Sequence, residues 1–347
     1  MSGSPHSPKE PRSWLALDIG GANLKAADGA GFALSRYFAL WREPQRLAGA
    51  LAELLSASPA AERLAVTMTG ELADCFETKA EGVDAILRAT ASAAGRDVQV
   101  YLTDGSWAAV DYAREHPLRA AASNWHALAR FACRYLPGGS GLLIDVGSTT
   151  CDIIPLAGGM PAAVGQTDTE RLLHGELVYT GVERSPLCAA VAAVPYRGRQ
   201  CPTAHELFAT TWDAYLTLGD LPEEPHSTHT ADGRPATKAA ARDRLARAIC
   251  ADRTMFSEDD AVAAATAVAR AQAAKIAIAA QGVVRRMPSP PEKIVIAGQG
   301  EFLARQVLAK AAWAAPIVSL SDELGPILSR CATAHALAVL AREDFAS

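Results

Sequence analysis

The chain has 347 residues, half of them hydrophobic and 20% charged, with a formal net charge of −5. That length provides for two domains, each with a sizeable core. The mild acidity and lack of a basic patch exclude a nucleic-acid role, the seven scattered cysteines argue against a disulfide scaffold, and no apolar run reads as long enough to cross a membrane.

Residues 1–12 are rich in Ser, Pro and Lys and lack an apolar core, so they read as a disordered lead-in and not as a signal peptide. The chain is therefore expected to be soluble and cytoplasmic. Strands are predicted at 14–19, 24–28 and 31–40, followed by a helix at 44–56 with Leu47, Leu51, Leu54 and Leu55 on one face. A strand at 63–67, a helix at 79–94 and a strand at 98–103 complete the β-β-β-α-β-α-β order of a ribonuclease-H-like domain. A helix at 123–135 leads to the turn cluster Pro137-Gly138-Gly139-Ser140-Gly141, which marks a domain boundary between 139 and 140. Residues 165–257 are polar and turn-rich and read as an insertion in the second domain, 140–347. A long helix at 257–286 starts with Ser257 as N-cap before an acidic first turn. A helix at 301–313, a strand at 316–320 and a closing helix at 325–342, free to pack back on the first domain, end the chain.

One stretch occurs twice. Leu15-Ala16-Leu17-Asp18-Ile19-Gly20-Gly21-Ala22-Asn23-Leu24-Lys25 aligns without a gap to Leu142-Leu143-Ile144-Asp145-Val146-Gly147-Ser148-Thr149-Thr150-Cys151-Asp152. Each copy is a buried strand, a glycine turn and a returning strand. Backbone N–H groups at such a tip form an anion-binding concavity. Gly20, Gly21, Asn23, Gly147, Ser148, Thr149 and Thr150 are thus candidate phosphate contacts. Asp18 and Asp145, just before the turns, are candidate ligands of one shared Mg²⁺, or caps of their own turns. Lys25 can reach a phosphate or form a surface ion pair. A third stretch, 293–303, is a strand, the turn Gly298-Gln299-Gly300 and a helix start.

Loops that follow sheet strands face the ligand side in folds of this type. Glu71 and Asp74 are therefore general-base candidates, or helix caps and solvated groups. Asp104 and Ser106 follow the next strand. Ser123, Asn124 and His126 open the helix after it, with Ser123 equally a plain N-cap. Asp168, Arg171 and His174 form a polar cluster, and Arg171 or Arg184 can hold an anionic substrate group. Cys201, His205, His226 and His229 have zinc-binding chemistry but no common finger spacing, so a turn-rich loop is the expectation. There is no Walker lysine loop, and the third stretch lacks a full dinucleotide fingerprint.

In order, the three glycine motifs resemble the phosphate-1, phosphate-2 and adenosine motifs of the actin/hexokinase/Hsp70 superfamily. This implies two actin-like domains facing a central cleft. From Trp14 to about Arg342 the chain resembles the hydantoinase/oxoprolinase-related proteins of tetrahydromethanopterin-linked one-carbon metabolism. The resemblance rests on 15–25, 69–76, 142–156, 230–235 and Asp168-Thr169-Glu170-Arg171-Leu172-Leu173-His174-Gly175-Glu176 with its continuation to Val182. It implies a role in methanofuran biosynthesis, joining an aminomethyl-furan-methyl diphosphate to γ-glutamyltyramine with release of diphosphate. Two alternatives stay open: an ATP-dependent small-molecule kinase or oxoprolinase-like ATPase, for which the adenosine-type motif speaks, and a non-catalytic nucleotide-dependent switch.

Overall fold

The computed structural model describes residues 13–311 and 313–346. The lead-in expected at 1–12 lies outside the described residues, as does Ala312 of the helix expected at 301–313. The strands are β1 (Trp14–Ile19), β2 (Asn23–Ala27), β3 (Ala33–Tyr37), β4 (Arg63–Met68), β5 (Asp97–Tyr101), β6 (Trp107–Ala109), β7 (Ser140–Val146), β8 (Cys151–Ala157), β9 (Met160–Pro161), β10 (Leu177–Val178), β11 (Ala193–Tyr196), β12 (Arg199–Pro202), β13 (Lys293–Ala297) and β14 (Ile317–Ser319). Two sheets carry the fold, ordered β3-β2-β1-β4-β5-β6 and β10-β8-β7-β13-β14. In the first, β2 runs antiparallel to β1, while β4 and β5 are parallel to it. In the second, β10 is antiparallel to β8, and β13 and β14 are parallel to β7. Both follow the ribonuclease-H-like order, and together they make an actin-like α/β fold.

The chain divides into two compact units. One holds the described residues up to Gly139, Leu156–Glu170 and those from Leu320 on; the other holds Ser140–Pro155 and Arg171–Ser319. Leu177–Val178, inside the segment expected as an insertion, supply a strand of the second sheet. The rest of that segment has its own core, in which Leu187, Val194, Leu245 and Phe256 pack on Val268.

Every side chain of β1 is buried. Alternation along the strand sends Leu15, Leu17 and Ile19 to one face, against Leu51, Leu54, Ile86 and Leu87. Trp14 and Ala16 go to the other face, against Leu337, Leu340 and Ala341. In the second unit, Leu142, Ile144 and Val146 pack with Ile276, Ala280, Ile294 and Val307.

Four local expectations change. The third strand is only Ala33–Tyr37, and the closing helix is broken into Pro326–Arg330 and Ala332–Asp344 at Cys331, whose φ of −114° is not helical. Ser123 does not cap its helix; its hydroxyl donates to the Tyr101 carbonyl at 2.8 Å and lies 2.8 Å from Thr67 Oγ1. The helix Glu258–Arg286 does have the length and hydropathy of a membrane span, contrary to the reading that no stretch does. Half of its most apolar window is buried, on a stripe from Ala261 through Val268 and Ile276 to Val283. Ser257 caps it as expected, accepting from Asp260 N at 3.1 Å.

Candidate functional site

The two glycine hairpins close in the same way. Gly20 N donates to Asn23 O and Gly147 N donates to Thr150 O, each at 2.9 Å. The carbonyl at the next position is held from outside in both: Gly21 O accepts from Leu40 N, and Ser148 O accepts from Glu183 N and Arg184 N, all at 3.0 Å. The residue after each aspartate also repeats its contact. Ile19 O accepts from Gly70 N at 3.1 Å, and Val146 O from Gly300 N at 2.9 Å. The segment 181–184 lies directly on the second tip, where a Cβ on Gly181 would stand 2.4 Å from Thr149 N. The tips are thus fixed frames whose shape does not depend on side-chain packing of Thr149 or Thr150, both half-buried.

In the first unit, Asp18 is paired across the hairpin with Lys25, its Oδ2 4.0 Å from Nζ. Asp18 is only 6% exposed, and its Oδ1 has no hydrogen-bond partner. Burial raises its pKa above the usual carboxylate value, an effect that Lys25 moderates. Lys25 therefore lies at a buried carboxylate, and not in the surface ion pair of the alternative reading.

Glu71 follows β4 and is buried, 1% exposed, with Oε2 unpartnered. Burial pushes its pKa up to about 7, against the pull of backbone N–H groups and of Lys79. Lys79 Nζ lies 3.9 Å from Glu71 Oε1 and 3.8 Å from Asp168 Oδ2. Both carboxylates stand out in the sequence, unlinked, and the lysine does not. Its only signal was a cation in the first turn of a helix, just after the Thr78 cap, where cations are disfavoured. Gly82 packs on the Glu71 backbone so closely that a Cβ would stand 2.1 Å from Glu71 O.

Asp74, the other base candidate, is exposed. Asn124 is half-buried at the start of its helix. His126 is a correction: it is 7% exposed, its Nδ1 lies 2.9 Å from Tyr101 OH, and burial lowers its pKa to about 4. It is a neutral core side chain among aromatic rings and does not offer itself to substrate. Asp104 accepts from Ser106 and Arg119, which closes its own turn.

In the second unit, Asp145 ends β7 opposite Ala297 of β13, so the third glycine motif sits beside the second hairpin. Gly298 has φ +83°, and a Cβ there would meet Val146 O at 2.3 Å and Asp145 Oδ1 at 2.5 Å. Gly300 is as tightly packed, on Val146 and Val182. Gln299 donates to Glu183 Oε1 at 2.7 Å. These glycines permit backbone packing, a reason for them that the sequence reading did not weigh. Arg171 is a second correction: 1% exposed, it is ion-paired with Asp152 inside the unit and not turned to an anionic ligand. Arg184 is exposed and lines a cavity of about 90 Å³ beside Thr149. Among the described residues no group of three or more His, Cys, Asp or Glu could hold a metal ion, and His205, His226 and His229 are all exposed.

A ribonuclease-H-like unit used twice, each with a glycine hairpin behind an aspartate, defines the actin-like class of folds. The family model described as hydantoinase/oxoprolinase matches residues 62–334. A relative from Methanocaldococcus jannaschii is 31% identical over 95% of this chain and 98% of its own length. One from Methanococcus vannielii is 30% identical over 58% of this chain and 91% of its own. Both are named (4-{4-[2-(γ-L-glutamylamino)ethyl]phenoxymethyl}furan-2-yl)methanamine synthase. Among solved structures, the polyphosphate/ATP-glucomannokinase from Arthrobacter sp. strain KM is 18% identical over 96% of this chain and 99% of its own, with a TM-score of 0.44. The (R)-2-hydroxyglutaryl-CoA dehydratase component A from Acidaminococcus fermentans is 12% identical over 97% and 100%, with a TM-score of 0.46. The chain belongs to the hydantoinase/oxoprolinase family.

Proposed function

We propose that this protein is a diphosphate-releasing transferase of methanofuran biosynthesis, which joins an aminomethyl-furan-methyl diphosphate to γ-glutamyltyramine as an aryl ether. The observation that carries the reading is the similarity over nearly the full length of both chains to a relative named for such a product. The bond between the furan methylene and the diphosphate oxygen breaks, and its electron pair leaves with diphosphate. A bond forms from the phenol oxygen to the methylene, and the phenol proton passes to a base.

Glu71 suits the base: its buried Oε2 has no partner, and a pKa of about 7 leaves it half deprotonated at neutral pH. Lys79 steadies the charged form of Glu71. The hairpin backbone N–H groups would receive the charge that grows on diphosphate, a contact that strengthens as the bond stretches. Asp18, whose buried Oδ1 has no hydrogen-bond partner, would hold Mg²⁺ in the first unit; Asp145 is the candidate carboxylate of the second unit. With so few protein donors, such an ion would draw its remaining ligands from phosphate and water, as Mg²⁺ does. Bound there, it would supply charge neutralisation at the leaving group.

Calorimetric titration with Mg²⁺·diphosphate and Mg²⁺·ATP tests this. Diphosphate is expected to bind wild type and to lose affinity in Asp18→Asn. Tight ATP binding with no diphosphate binding would instead support a kinase.

A further inference from the structure

The cavity of the second unit is lined by Thr149 of the hairpin tip, Tyr179, Thr180, Arg184, Ser185, Pro186 and, from the long helix, Gln272 and Lys275, with Ala189 and Ala190 on its wall. A hydrogen-bond chain ends in it. Gln272 is 2% exposed, and its Nε2 donates to Gly181 O and Thr180 Oγ1, both at 2.8 Å. A carbonyl only accepts, so the carboxamide nitrogen must face Gly181 O, and Oε1 is left to accept from Tyr215 OH at 2.5 Å. Thr180 Oγ1 therefore accepts from Gln272, and it lies 3.0 Å from Ser185 Oγ, a bond in which either hydroxyl can donate. Ser185 Oγ also accepts from Gly181 N at 3.0 Å. One bond between the two hydroxyls uses one of their two protons; beyond it only Gly181 O, at a poor 3.4 Å from Ser185 Oγ, is on offer, so the pair keeps one donor over at the cavity. Lys275, one turn beyond Gln272 on the same helix face, and Arg184 add two cations at the cavity.

We infer that this cavity is the subsite for the carboxylate of the acceptor's γ-glutamyl end, held by Ser185, Lys275 and Arg184. The inference rests on the transferase reading, under which both substrates carry an anionic group. The wall suits the acceptor: Pro186, Ala189, Ala190 and the exposed Tyr179 ring can pack on its alkyl amide chain, next to the one carboxylate it carries. A leftover hydroxyl donor and two cations then complement its carboxylate, and charge-assisted bonds of this kind discriminate by roughly 10- to 100-fold.

The test is calorimetric binding of γ-glutamyltyramine, of N-(4-aminobutanoyl)tyramine, which keeps the chain, the ammonium, the amide and the phenol but has no carboxylate, and of Mg²⁺·diphosphate. Wild type is expected to prefer γ-glutamyltyramine over the 4-aminobutanoyl amide by roughly 10- to 100-fold. Lys275→Met and Ser185→Ala should each remove most of that preference and leave diphosphate binding as it was. Lys275 is exposed, so its variant should melt with the wild type. Loss of diphosphate binding in the variants, no preference in wild type, or an unchanged preference in both variants would overturn the subsite. Carboxylate-dependent binding through Lys275 in a protein that forms no ether would leave the subsite standing and remove the transferase reading alone.

Discussion

Gly70 and Gly300 do the same thing in the two units: each donates its N–H to the carbonyl just after the hairpin aspartate, Ile19 O in one case and Val146 O in the other. The duplication therefore extends past the hairpins to the loop after the neighbouring parallel strand. It makes Glu71 and Glu301 counterparts, both buried. The copies have diverged at that carboxylate. Glu301 accepts from Ser319 Oγ at 2.5 Å, while Glu71 Oε2 has no partner. The unpartnered copy is the one proposed above as the base.

Glu71→Gln should slow ether formation by roughly 10²- to 10⁴-fold, the usual worth of a general base. In wild type the rate should rise with pH through about 7, as Glu71 loses its proton. A pH–rate profile of both proteins checks this; an unchanged rate in the variant would remove Glu71 from the chemistry.

The same carboxyl makes a stability prediction. Burial raises Glu71 from 4.5 to about 7, so between those pH values the folded chain holds a proton that the unfolded chain has lost. Wild type should therefore lose stability as pH rises from about 4.5 to about 7, by at most about 3 kcal/mol from this group. Glu71→Gln has no charge to bury, so it should flatten that loss and melt higher than wild type above pH 7. Melting curves at pH 4.5 and 8 decide the sign.

Lys79→Met should move the rising limb of the rate profile to higher pH, because the ammonium that favours ionised Glu71 is gone. Lys79→Arg should restore much of the original profile. A uniform drop at all pH values, with no shift, would mean that Lys79 acts only in folding.

Arg171→Met leaves Asp152 buried without its cation and should cost about 3–5 kcal/mol in denaturant unfolding. The double change with Asp152→Leu should recover much of that loss. If the single variant instead folds normally and loses substrate affinity, Arg171 is a ligand contact after all.

The strand order of both units was legible because buried strands such as Trp14–Ile19 are continuous apolar runs and because the hairpin repeats in register. Ser123, His126 and Arg171 were read as site or cap residues because sequence shows polarity and not direction. Each bonds inside the core, to Tyr101 or to Asp152. Lys79 and Lys275 escaped notice because their partners are distant in sequence or absent from it: an ion pair reaching Asp168, and a cavity completed by the 179–186 segment. The glycines at 298 and 300 looked like ligand-binding glycines; their close packing on Val146 appears only in three dimensions.

Turnover tests the central claim most directly. Purified protein, Mg²⁺, the furan-methyl diphosphate and γ-glutamyltyramine are mixed without ATP, and diphosphate and ether are followed by mass. The account predicts one diphosphate released per ether formed, with the rate cut by at least ~10²-fold in Asp18→Asn, the scale of losing one electrostatic stabiliser. Product that forms only when ATP is added, with ADP accumulating alongside it, would contradict the transferase and assign the protein to the kinases.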